Sequence, residues 1–224
     1  MNTLYIFINR LAILVLIGII FIGQGDAVGR VDRNDVPSEP AVVVFRLDPS
    51  QSKFIVHADR TGLFWFKGHS HRIAAKDFHG TAELTLDAVN PASLSLAVEA
   101  RSLEETDPVF TDQQKMIIKK ELDGIVLETA KYPEITFRST GVKGSLNGGR
   151  FNVRITGDLT LHGVTRRITI PATVTINGDT MHAIGEFEIN RKKFNVDATN
   201  AFHGFVRVRH HLKFEFDIVG KRVT

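Results

Sequence analysis

The stretch FNVRITGDLTLH (residues 151–162) decides the fold class of this chain. Phe151, Val153, Ile155, Leu159 and Leu161 occupy alternate positions, while Asn152, Arg154, Thr156, Asp158, Thr160 and His162 fill those between. Successive side chains of a strand point to opposite faces, so the pattern predicts a strand with one dry side and one wet side.

The same period extends outward in both directions. In FHGTAELTLD (78–87), Phe78, Ala82, Leu84 and Leu86 alternate with polar residues, and in SLSLAVEAR (93–101) Leu94, Leu96, Val98 and Ala100 do so. RITIPATVTI (167–176), MHAIGEFEI (181–189) and VRVRHHLKFEFDI (206–218) repeat the pattern. Turn signals separate the runs: GSLNGG (144–149), HGVTR (162–166) and NGD (177–179), the last an Asn-Gly hairpin signal. One segment breaks the rule. TDQQKMIIKKELDG (111–124) carries a capping-box pair in Thr111 and Gln114, strong helix formers and a terminating Gly124, which predicts a single inserted helix. The chain is therefore all-β, with about eight mostly antiparallel strands and no internal repeat. One-sided alternation suits either a sandwich or a closed barrel. Long strands favour a barrel tall enough to hold a small ligand.

Composition narrows the class further. The chain has 224 residues, 43% of them hydrophobic, enough for one domain with a packed core. Sixteen Phe stand against one Trp and two Tyr, an aromatic set with few polar handles that suits a greasy interior. The formal net charge is only +3, and Lys and Arg alternate with Asp and Glu, which argues against a nucleic-acid partner. Leu11–Ile22 (LAILVLIGIIFI) is an apolar run behind Arg10, short for a membrane span. Residues 1–27 are expected to be an export signal cleaved after Ala27, or else an N-terminal anchor to the inner membrane. Residues 28–41, with two prolines and no period, are expected to be a linker, and residues 42–224 the barrel domain. The chain has no cysteine, so neither a lipoprotein anchor nor a disulfide framework is available. The expected location is periplasmic or extracellular.

KYPEITFRST (131–140), TGDLTLHGVTRRITIPATV (156–174) and FEINRKKFNV (187–196) resemble the YceI-like family of exported bacterial proteins. FRLDPSQSKFIVHA (45–58) and the helix inserted ahead of Tyr132-Pro133 fit the same pattern, and the resemblance spans Val44 to Val219. It implies a lipocalin-like antiparallel barrel with a helical lid, binding a long isoprenoid or other lipid chain without established catalysis. The chain departs from the family pattern at LFWFKGHSHRIAAKDF (63–78) and in the two histidines of its final strand.

Those histidines carry the competing chemistry. Alternation puts His210 inward with Val206, Val208, Leu212, Phe214 and Phe216, and His211 outward with Arg207, Arg209 and Lys213. His69 and His71 share a phase, and if that phase is inward, His69, His71 and His210 form a three-nitrogen zinc site whose open fourth position permits catalysis. The blander reading makes His69 and His71, with Lys67 and Arg72, a polar rim for a ligand's head group. The rim reading is preferred because zinc needs all three ligands together. His79, His162 and His182 fall on polar phases and are expected to be solvated.

Phe64, Phe66, Phe78, Leu84, Leu96, Phe137, Phe151, Val153, Ile155, Phe187, Phe214 and Phe216 are the candidate apolar lining. The leading expectation is a non-enzymatic carrier of a long-chain isoprenoid or fatty amphiphile, without a cofactor. Its row Arg207, Arg209, His211 and Lys213 would lean on anionic lipid head groups, or simply keep an exposed strand soluble. The alternatives are a zinc-dependent protein and a filled barrel with no ligand. No Gly-x-Ser-x-Gly elbow, phosphate loop or cysteine nucleophile is present, and the oligomeric state is left open.

Overall fold

The structure, a computed structural model, describes residues 41–61, 69–197 and 207–223. The readings made for residues 1–40 and for Phe64, Phe66 and Lys67 lie outside the described residues. The strands are β1 (Val42–Ala58), β2 (Arg60–Thr61), β3 (His71–Ala75), β4 (Phe78–Thr85), β5 (Ser93–Glu99), β6 (Leu103–Glu105), β7 (Glu134–Asn147), β8 (Arg150–Leu161), β9 (Val164–Asn177), β10 (Thr180–Asn190), β11 (Arg207–Val208) and β12 (His211–Arg222). The helix α1 (Asp112–Glu121) lies between β6 and β7.

Eight strands pair in the order β12-β10-β9-β8-β7-β5-β4-β1, and β12 pairs back onto β1 from Phe45↔Arg222 to His57↔Lys213. The sheet is therefore a closed antiparallel barrel, and closure leaves its long strands no open edge. Strands β3 and β6 extend the wall alongside the second half of β1, while β2 and β11 form a separate small ribbon.

Local chemistry places the turns. His162 and Gly163 join β8 to β9 with φ of 51° and 72°, and Gly148 and Gly149 join β7 to β8 with 57° and 75°. Two consecutive positive φ values make primed turns, whose twist matches that of the flanking strands. Strand β1 changes partner from β4 to β3 across a register shift between Asp48 and Lys53. The Asp48 carboxylate holds this bulge, accepting from the Ser50 N–H at 3.0 Å and from Gln51 Nε2 at 2.6 Å.

The predicted capping box forms: Gln114 N–H donates to Thr111 Oγ1 at 3.3 Å, and Thr111 N–H donates to Gln114 Oε1 at 2.8 Å. Gly124 does not terminate the helix, contrary to expectation. The chain continues as a π turn through Leu122–Val126, where Leu127 N–H donates to Leu122 O at 2.9 Å, and it turns left-handed only at Glu128, with φ of 45°. The reason is in the packing. Ile118, Leu122 and Val126 succeed one another on the face that covers the barrel interior, and stopping at Gly124 would remove Val126 from it.

Alternation fails at the end of β4. Leu86 is exposed and Thr85 buried, because β4 ends at Thr85 and the Thr85 hydroxyl turns in to donate to Pro91 O at 3.0 Å. Phe45, Phe78 and Phe194 are the most deeply enclosed large side chains.

Candidate functional site

The inward rows of the barrel do not fill it. They enclose a cavity of ≈ 630 Å³, within the range of about 300–1,000 Å³ usual for small-molecule sites. Phe78, Leu84, Leu96, Phe137, Phe151, Val153, Ile155, Phe187, Phe214 and Phe216 all lie on its wall. Phe187 and Phe214 stack at 4.8 Å with an interplanar angle of 13°. Phe216 lies across Gly185, where an added Cβ would sit 2.6 Å from the ring, so the missing side chain is what admits the aromatic there.

The wall is apolar except for a few groups, and most of these gather at the end bearing α1. Arg60, His69, His71, Glu121 and Arg191 line the cavity there, beside Phe110, Ile118 and Leu122. His71 leads β3 in the same phase as Ile73 and Ala75, so its ring faces inward. Phe110 stacks on the His71 ring at 5.2 Å with an interplanar angle of 2°, and His69 meets Phe110 edge-on at 5.5 Å. Behind His71 sits Glu105, whose side chain is wholly buried. Its carboxylate accepts from His71 Nδ1 at 2.8 Å, from Arg72 N–H at 3.1 Å and from Asp107 N–H at 2.8 Å. Burial pushes the Glu105 pKa up, but these three donors outweigh it and hold the carboxyl below the usual range.

Arg191 is a second buried ion. Its guanidinium donates to Val196 O at 2.7 Å, Val208 O at 3.1 Å and Arg209 O at 3.1 Å, tying β11 and the following bend to the end of β10. Burial pulls its pKa down against the attraction of Asp197. The sequence reading passed over Arg191, Glu105 and Phe110. The odd phase Phe187, Ile189 continues to Arg191, and Glu105 stands two residues after buried Leu103, but charge argued for the surface at both. Phe110 lies in an irregular segment with no period to point to it.

Four readings are corrected. His210 does not point inward. It is exposed in the bend between β11 and β12, where the carbonyls of Val208, Arg209 and His210 accept from Arg191, and alternation resumes only at Leu212. His69, His71 and His210 therefore do not converge, and among the described residues no group of three or more His, Cys, Asp or Glu is disposed to hold a metal ion. His162 is not solvated: its side chain is 10% exposed, it bonds Glu128 Oε2 at 2.7 Å, and it packs against Tyr132 with centroids 4.4 Å apart. The primed turn swings the ring back over the barrel end, against the phase of β8. His79 and His182 are exposed, as expected. Arg72 is exposed and is not on the cavity wall. The outward row on β12 faces carboxylates of β10, with Lys213 bonded to Glu186 at 2.5 Å and His211 3.8 Å from Glu188.

A closed antiparallel barrel around an apolar cavity, lidded by one helix, defines the class of protein. Within it, residues 45–220 match the YceI-like domain, and the chain belongs to the YceI-like family. It is 34% identical to protein YceI of Escherichia coli O6:H1 over 155 residues, which cover 69% of this chain and 67% of the relative. It is 37% identical over 133 residues to a UPF0312 protein of Pseudomonas savastanoi, covering 58% of this chain and 60% of the relative. Among solved structures, BcnA of Burkholderia cenocepacia superposes with a TM-score of 0.61 at 21% identity, over 77% of this chain and 98% of BcnA. A polyisoprenoid binding domain from Saccharophagus degradans superposes with a TM-score of 0.60 at 13% identity, over 80% of this chain and 98% of that domain. At such identities the two structures establish a shared fold.

Proposed function

We propose that this chain is an exported, non-enzymatic carrier that holds a long-chain isoprenoid or fatty amphiphile in its barrel. The observation that carries the reading is the ≈ 630 Å³ cavity, largely apolar, with most of its polar groups at one end. Burying an acyl or isoprene chain there gains about 0.8 kcal/mol per methylene-sized group, so an apolar lining supplies affinity without many specific contacts. The shared fold with a polyisoprenoid binding domain supports the isoprenoid class. In this reading residues 1–27 direct export or anchor the chain at the inner membrane, and residues 28–41 tether the barrel.

Exchange of cargo at a membrane surface belongs to the same reading. Val109, Met116, Ile117 and Ile125 on and around α1 are more than half exposed, while Ile118 and Leu122 of the same segment touch the cavity. One helix thus meets both the ligand space and the outside with apolar side chains.

Native mass spectrometry of the protein purified from the compartment to which it is exported tests the proposal. The expected result is a mass increment of one lipid, lost in Val153→Trp, whose indole would occupy the cavity. Bare wild-type protein, a metal ion in place of lipid, or lipid retained by the folded Val153→Trp protein would overturn it.

A further inference from the structure

On the cavity wall, His71 Nε2 makes no hydrogen bond among the described residues. The ionised Glu105 carboxylate can only accept, so the bond to His71 requires the proton on Nδ1. That fixes the ring in one orientation, and Phe110 packed flat against it holds its plane. Nε2 is then the free edge, on a side chain that lines the cavity at its polar end. Three donors keep Glu105 in place independently of any ligand, so the edge is preorganised.

We propose that His71 Nε2 is the head-group subsite of the cavity, and that it selects amphiphiles ending in a hydroxyl, an alcohol or a phenol, over the corresponding hydrocarbon or carboxylate. The inference rests on the carrier reading and adds the class of head group. A hydroxyl donates to Nε2 of a neutral ring and accepts from Nε2–H of a charged one, so it fits His71 in either protonation state. A hydrocarbon leaves the edge unpaired. A carboxylate only accepts, so it pairs with the charged ring alone, and it would approach a ring backed by the Glu105 charge, with Glu121 as well as Arg60 on the same wall. Arg191 lines the same end, but its Nε and both Nη already donate to backbone carbonyls. His69 lines the same end, edge-on to Phe110, as a second imidazole near the subsite.

Three probes sharing one chain test the assignment: farnesol, farnesoic acid and farnesene, each measured by equilibrium dialysis against delipidated full-length protein. Farnesol is expected to bind about five- to tenfold more tightly than the other two, the factor that one net hydrogen bond provides. In His71→Asn the carboxamide nitrogen stands where Nδ1 was, so Glu105 keeps its donor while the Nε2 edge is gone. That variant is expected to bind farnesol as weakly as farnesene, with farnesene affinity unchanged as the control for an intact cavity. Wild-type protein that binds all three equally, or prefers farnesoic acid, overturns the subsite while the carrier reading stands. Selectivity that survives in His71→Asn also overturns it. Failure to bind any of the three removes the carrier reading itself.

Discussion

Of the imidazole–carboxylate pairs on this barrel, two are nearly equal in length and opposite in burial. His71–Glu105 measures 2.8 Å, with the acid wholly enclosed and the base 29% exposed; His162–Glu128 measures 2.7 Å, with the base 10% exposed and the acid 42%. The first buries its charge and leaves a hydrogen-bonding edge at the cavity. The second buries its ring under Tyr132 and keeps its charge at the surface, fastening the left-handed residue that ends the helical segment to the β8–β9 turn. The same two side chains therefore serve different ends, and the difference lies in which partner is desolvated.

The contrast is most easily broken at the acids. Glu105→Ala leaves two backbone N–H groups and an imidazole without their acceptor, and is expected to cost about 3–5 kcal/mol in urea unfolding. A loss below about 1 kcal/mol there would mean that burial of the acid carries no weight.

Acid titration sharpens the same point. The folded-state pKa of Glu105 is below its ordinary value of 4.5, so its contribution to stability is present above that value and is lost as pH falls through the lower folded pKa. Thermal unfolding followed from about pH 7 to about pH 3 should fall more steeply for the wild type than for Glu105→Gln. Parallel curves would contradict the lowered pKa of Glu105, and a wild-type curve that gains on the variant as pH falls would contradict the ionised assignment on which the His71 tautomer rests.

On the second pair, the turn is expected to matter more than the charge. Gly163 has φ of 72°, and a Cβ there would meet the Tyr132 ring at 2.6 Å, so Gly163→Ala should cost about 1–3 kcal/mol. Glu128→Gln, at a partly exposed carboxylate, should cost less than about 1 kcal/mol by the same urea measurement. If Glu128→Gln matched Glu105→Ala, the distinction between the pairs would disappear.

Much of the barrel was legible because strand alternation is a local property. The rows of β8, β10 and the later part of β12 can be read residue by residue, and Phe151, Val153, Phe187, Phe214 and Phe216 stand where their phase puts them. The helix start was legible for the same reason, since a capping box is complete within four residues. Its end was not, because the choice between stopping at Gly124 and turning on to Val126 depends on what Val126 covers. His210 was misplaced because a bend held by Arg191 resets the phase, and nothing within the strand announces that partner. His162 was misplaced because a primed turn redirects its own side chain.

Sequence alone determined the all-β class, the family, the rows that face inward and the apolar character of what they enclose. Each follows from a two-residue period or a short turn signal that needs no distant partner. Tertiary structure decided that the sheet closes through β1 and β12, that space remains inside it, and that Glu105 arrives behind His71 from 34 residues away. An isolated strand has no means of expressing these. Closure, residual volume and the desolvation of one carboxylate are properties of surfaces brought together, and they exist only once the chain has packed.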